Sequence, residues 1–136
     1  MCRRVAERGT HWIGDLGTTV AYLNDDQFFS GYTSLILKRH ATELYHLTAA
    51  ERGRMIEELS RVARALDVVF RPAKMNYELL GNRVPHIHWH VVPRLPDDPN
   101  PRWPVWTLPH EPLRLSVEAA RERATAVHSA LVGLAE

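Results

Sequence analysis

Residues 48–70 carry apolar and charged positions at helical spacing. Met55, Ile56, Leu59, Val62, Ala63, Leu66, Val69 and Phe70 recur every three or four residues and form one apolar stripe. Arg52, Arg54, Glu57, Glu58, Arg61 and Arg64 fill the other side and read as a solvated face. Thr48-Ala49-Ala50-Glu51 is a capping box, in which a hydroxyl and a carboxylate satisfy free amides at the helix start, and Pro72 stops the helix. A second helix is expected after Ser116, with Val117, Ala120, Ala124, Val127 and Leu131 on one side. Between and before the helices the pattern changes to that of strands. The β-branched and aromatic run 18–23 is a strand, broken by Asn24-Asp25-Asp26, and 31–38 returns antiparallel to it. Residues 74–80 and 85–93 give two more, and a short strand is expected near Trp12-Ile13. Paired strands with helices set apart from them predict an α+β fold: an antiparallel sheet of about five strands, one long helix packed on it and a C-terminal helix.

A chain of 136 residues suits one domain, here taken as 1–136 with a core over about 12–106 and a helical extension over about 113–135. Pro96, Pro99, Pro101 and Pro104 forbid regular structure in the segment between them. Trp103 and Trp106 beside them are expected to anchor this loop to the body in preference to stacking on a ligand. Seventeen Lys and Arg against sixteen Asp and Glu leave a net charge of +1, which argues against nucleic-acid binding. No apolar run is long enough to span a membrane and none follows the basic N-terminus, so a cytoplasmic location is expected. The single cysteine, Cys2, excludes an internal disulfide.

The eight histidines matter through three of them. His86-Ile87-His88-Trp89-His90 alternates strictly. On a strand, His86, His88 and His90 share one face about 6.5–7 Å apart, while Ile87, Trp89 and Val91 take the other. Two functional readings fit this row. It is a metal site completed by Cys2, His40, His46 or Asp25, or it does phosphate chemistry, with one imidazole attacking phosphorus while its neighbours hold oxygens and leaving group. The alternative is three histidines on a solvated face.

His86-Ile87-His88-Trp89-His90-Val91-Val92 resembles the signature of the histidine triad (HIT) family, His-φ-His-φ-His-φ-φ, and Pro93-Arg94 resembles its dinucleoside polyphosphate hydrolase branch. Leu23-Asn24 with Gly31, the strand Leu35–His40, the capped helix, Lys74–Asn82 and the Pro/Trp-rich segment 101–106 extend the likeness over about residues 12–106, particularly to a bacterial subgroup. The resemblance implies the HIT-like fold and a nucleotide hydrolase. His88 is then the nucleophile, attacking the α-phosphorus of a dinucleoside polyphosphate such as diadenosine tetraphosphate, or of a nucleoside phosphoramidate. His90 contacts phosphate or leaving group and, as imidazolium, gives a proton to a poor leaving group; His86 orients the nucleophile. Asn24 is implied for the ribose hydroxyls, and Asn76 and Asn82 for the phosphates or the attacking water. Asn82 stands where many relatives have Gln, so turn chemistry is an equal reading. The resemblance also implies a homodimer and no cofactor. Since Cys2 stands without the second cysteine of zinc-holding subgroups, no metal is expected. The alternative function is a non-catalytic nucleotide-binding or sensing module of the same fold.

Overall fold

A computed structural model describes residues 8–134. Five strands form one antiparallel sheet: β1 (Trp12–Asp15), β2 (Thr19–Leu23), β3 (Thr33–Leu37), β4 (Lys74–Glu78) and β5 (His88–Arg94), in the order β1-β2-β3-β5-β4. Helix α1 (Ala49–Phe70) lies between β3 and β4 in sequence, and α2 (Val117–Gly133) ends the described chain. The expected α+β architecture is therefore the observed one. The helix starts also follow the sequence. Thr48 accepts from the Glu51 amide while Glu51 accepts from the Thr48 amide, and Ser116 accepts from the Ala119 amide. Arg71 adopts a left-handed conformation just before Pro72 and closes α1.

Cross-strand register decides which side chains share a face. On one face, Ala21, Leu23, Leu35 and Val91 meet Leu59, Val62, Ala63 and Leu66 of α1 and Ala124, Val127 and Leu131 of α2 in a single core. The opposite face carries His88 across from Ile36 and His90 between Ser34 and Glu78, with Tyr22 beyond Ser34. Both helices pack against the first face, and the histidines occupy the second. Trp89 and Val91 point to the core as their parity requires, whereas Ile56 and Val117, placed on apolar stripes by spacing, are exposed.

Glu58 departs from the solvated face expected of it. Its carboxylate is buried against the β1–β2 turn, where it accepts from the Thr18 amide at 2.9 Å, the Thr18 hydroxyl at 2.8 Å and the Thr19 hydroxyl at 2.5 Å. These bonds tie the middle of α1 to the start of β2. Glu58→Ala removes all three and leaves the donors to find other partners, so unfolding free energy is expected to fall by about 2–3 kcal/mol in a denaturant titration.

Gly31 shows why the turn into β3 is fixed. Its φ is +88°, and a Cβ there would lie 2.7 Å from the Phe70 ring and 2.9 Å from Pro93. Tyr32 follows it. The Tyr32 carbonyl accepts from the Asn24 amide and from Gln27 Nε2.

Candidate active site

The histidine row is shorter than its alternation suggests. β5 begins at His88, so only His88 and His90 share the strand face, and His86 lies in the irregular segment before it. This is a correction with a local cause. The Ile87 amide donates to the Ala41 carbonyl and the Ile87 carbonyl accepts from the Leu37 amide, so the chain at 86–87 pairs with the exit of β3 and is not yet in the ladder with β4. The His86 ring is buried and turned to the Leu37 carbonyl, to which Nε2–H donates at 2.6 Å. A neutral ring that donates from Nε2 presents a bare Nδ1, which accepts from His40 Nδ1–H at 3.2 Å.

The same logic assigns His88. Its Nδ1 lies 2.6 Å from the His86 carbonyl. A carbonyl only accepts, so Nδ1 carries the ring proton and Nε2 keeps its lone pair. The His90 ring stands 4.9 Å from that of His88, tilted by 66°. Burial, with the nearby His88 second, pushes the His90 pKa down to about 4. His90 is therefore neutral at pH 7, not the imidazolium expected from the sequence.

Both rings line a cleft of about 540 Å³ whose other walls are Leu80, Gly81, Asn82, Arg83, Val84 and Trp106. A lone pair on the His88 ring, a neutral imidazole beside it and one guanidinium suit an electrophilic phosphorus bearing anionic oxygens. Asn82 joins the histidines in this cleft. Asn76 does not line it; its Oδ1 accepts from Arg94 Nη1 at 2.7 Å. Asn24 closes a turn by accepting from the Asp26 amide, while its Nδ2 reaches Ser34 Oγ at 3.4 Å. Through Ser34, directly opposite His90, it approaches the site from the neighbouring strand.

The Pro-rich loop is ordered, but the tryptophans do not bury themselves to hold it. Trp103 is 63% exposed and Trp106 52%. Arg94 anchors the loop instead. Its guanidinium is buried and donates to the Asp98 carboxylate, Asn76 Oδ1, the Trp103 carbonyl at 2.8 Å and the Asn100 carbonyl at 2.6 Å. The guanidinium in turn holds the Asp98 carboxyl below its ordinary pKa. Val105 supplies the apolar anchor, packing with Phe29, Tyr32 and Val92. Trp106 is thereby placed edge-on to His90, with ring centroids 5.3 Å apart, and its Nε1 donates to Glu78.

Two residues at the site, Tyr32 and Glu78, carry no site role in the sequence reading, while His40 is offered there only as a metal ligand and Trp106 as a loop anchor in preference to a ligand contact. Tyr32 lies 2.5 Å from His90 Nδ1 through its hydroxyl. The sequence holds a signal for three of these: His40 follows the strand that pairs with the triad, Glu78 is in register with His90, and Tyr32 lies two residues before Ser34, the β3 partner of His90. Among the described residues, no group of three or more His, Cys, Asp or Glu is placed to hold a metal ion. Cys2 lies outside the described residues.

Comparison with known proteins decides the family. The model of the HIT domain matches residues 5–97. The chain belongs to the HIT domain family. The HIT protein of Bacillus subtilis called "Protein hit" is 30% identical over an 80-residue alignment that covers 55% of this chain and 55% of that protein. The chain thus aligns with about half the length of that curated relative. A crystal structure of a HIT protein from Sinorhizobium meliloti superimposes with a TM-score of 0.82 at 28% identity, covering 95% of this chain and 94% of the other. A histidine triad protein from Marinobacter aquaeolei gives 0.82 at 26% identity, covering 98% and 96%. The sheet and both helices are accordingly those of a HIT fold, and among the described residues no helix is long and apolar enough to cross a membrane.

The Arg94 anchor makes a prediction for this HIT site. Arg94→Met leaves Asp98 buried without its cation, and stability is expected to drop by about 3–5 kcal/mol. Hydrogen exchange should show the 95–106 loop losing protection in Arg94→Met at denaturant concentrations that leave β2 and β3 protected. Retained loop protection would show that Val105 alone suffices.

Proposed function

We propose that this HIT protein is a nucleotide hydrolase that cleaves a nucleoside 5′-phosphoryl bond through a covalent nucleotidyl–His88 intermediate. The observation that carries this reading is the His88 Nδ1–H bond to the His86 carbonyl, which leaves the Nε2 lone pair for attack. In the first step Nε2 forms a bond to the α-phosphorus, the bond from phosphorus to the leaving group breaks, and that electron pair departs with the leaving group, which takes a proton from solvent water where it is an amine. Water then attacks the same phosphorus, the P–N bond breaks, and the nucleoside monophosphate leaves. The attacking water releases a proton to solvent, and the electron pair of the broken P–N bond returns to His88 Nε2. His86 holds the carbonyl that orients His88. His90 and Asn82 contact the phosphoryl oxygens, and Asn24 the ribose hydroxyls. Asn76 acts through Arg94 and the loop and touches no phosphate. No cofactor takes part.

The substrate is a dinucleoside polyphosphate such as diadenosine tetraphosphate, or a nucleoside phosphoramidate. The cleft wall favours the second. Leu80, Val84 and Trp106 make it largely apolar, and Arg83 is the one cation among the lining residues. A chain of bridging phosphates asks for more positive charge than one guanidinium. We also take the protein to be a cytoplasmic homodimer. β4 is an edge strand, with Tyr77 and Trp103 exposed beside it, and a second copy would cover both.

The test is product release from diadenosine tetraphosphate and from an adenosine 5′-phosphoramidate, with wild type and His88→Ala. AMP should appear, faster from the phosphoramidate, and His88→Ala should be slower by about a thousandfold or more. Equal rates would overturn the nucleophile assignment. Tight binding without turnover over hours would make the protein a binding module.

A further inference from the structure

Tyr32 stands at the turn into β3, and its backbone is held from several sides. Its amide donates to the Phe29 carbonyl, its carbonyl accepts from Asn24 and Gln27, and Gly31 before it is pressed against Phe70 and Pro93. The side chain is buried, and its hydroxyl oxygen lies 2.5 Å from His90 Nδ1. Trp106 packs edge-on to both rings, 6.3 Å from Tyr32 and 5.3 Å from His90 between centroids.

A phenol and a ring nitrogen can share such a contact in two ways. The phenol hydroxyl donates to a bare Nδ1 and Nε2 carries the ring proton, or Nδ1–H donates to the phenol oxygen and Nε2 is bare. In the second arrangement the phenol hydrogen needs another acceptor. Among the described residues, His90 is the one acceptor the structure gives it. A buried hydroxyl hydrogen left unsatisfied costs about 1–3 kcal/mol, so the first arrangement wins. We propose that Tyr32 is a positioning residue that sets His90 in its Nε2–H tautomer, so that His90 meets the substrate as a hydrogen-bond donor and not as a base.

The consequence is a pair of rings in opposite tautomers on one strand face. The His86 carbonyl, an acceptor, keeps the proton on His88 Nδ1; the Tyr32 hydroxyl, a donor, keeps it off His90 Nδ1. One ring offers a lone pair and the other offers N–H, as attack on phosphorus with a developing oxyanion requires. The charged and titratable groups around His90 are compatible with this. His88 shares its strand and Tyr32 faces it from the turn. Glu78 lies across from it on β4, with its carboxylate engaged by Trp106, and Arg83 lines the same cleft. Burial, then the charges of Glu78 and Asp26, raise the Tyr32 pKa, which keeps the hydroxyl protonated at neutral pH. Because His90 is neutral there as well, it stabilises developing charge by donating a hydrogen bond, and the proton a leaving amine needs comes from solvent.

This inference rests on the hydrolase reading for its catalytic consequence, and its test separates the two. Nitrogen NMR of the full chain with ¹⁵N-labelled histidine distinguishes Nδ1–H from Nε2–H rings directly, with His90→Gln assigning the resonance. Wild-type His90 should be Nε2–H and should not titrate between pH 6 and 8. Tyr32→Phe should populate the Nδ1–H form of His90, leave His88 as Nδ1–H, and lower kcat by about 10–100-fold with a smaller change in KM, as loss of a partner that orients an imidazole does. His90 found as Nδ1–H in wild type overturns the inference, and so does a Tyr32→Phe protein with unchanged tautomer and unchanged kcat. Should Tyr32→Phe fail to fold, the wild-type spectrum still decides. The spectrum needs no substrate: an inert protein with His90 as Nε2–H refutes the hydrolase reading while keeping the tautomer assignment.

Discussion

A single hydrogen bond, 2.6 Å from His88 Nδ1–H to the His86 carbonyl, is what the chemistry of this cleft depends on. It fixes where the proton sits on the His88 ring and so where the lone pair sits. The carbonyl can do this because its own residue is immobile. His86 donates from its ring to the Leu37 carbonyl, and Ile87 pairs with Ala41 and Leu37 on either side. The segment leading into β5 is thus locked to the exit of β3, and β3 is locked to the core through Leu35 and the helices behind it. A backbone acceptor cannot be protonated at neutral pH, so this control persists where a side-chain partner's would titrate.

The cleft is completed on the histidine face by the Pro-rich loop, which ends in a single 3-10 turn at Val105–Thr107. Four prolines leave it few backbone hydrogen bonds, and Arg94 supplies the missing order by satisfying two carbonyls and a carboxylate at once. A buried cation works here beside the small Val105 cluster, and it does so from the end of the strand that bears the histidines. The strand that carries His88 therefore also fixes Trp106 against His90. The wall that results is apolar, with Arg83 as its cation.

Elements set by local chemistry are legible in the amino-acid sequence alone. The Thr48 capping box, the α1 stripe and the parity of His88, Trp89 and His90 all report on residues within a few positions of one another. The features that escape such a reading depend on distant partners. Glu58 sits one position from the apolar stripe, and its burial follows from Thr18 and Thr19, some 40 residues earlier. His86 has strand parity, but the β4–β5 ladder begins after it, and no local pattern marks where a ladder starts. Tyr32 reads as a strand residue because its partner is 58 positions away. Trp103 and Trp106 read as anchors because indoles usually bury; Arg94, in sequence merely the residue after Pro93, holds the loop in their place.

The central claim is that His88 Nε2 takes the nucleotidyl group. The most direct measurement is rapid-quench mass spectrometry of the protein after brief exposure to a panel of nucleotides, with the modified peptide sequenced. The account requires a transient adduct of nucleoside monophosphate mass on His88. Turnover with no such adduct at any quench time, or an adduct carried by His90 or His86, would contradict it.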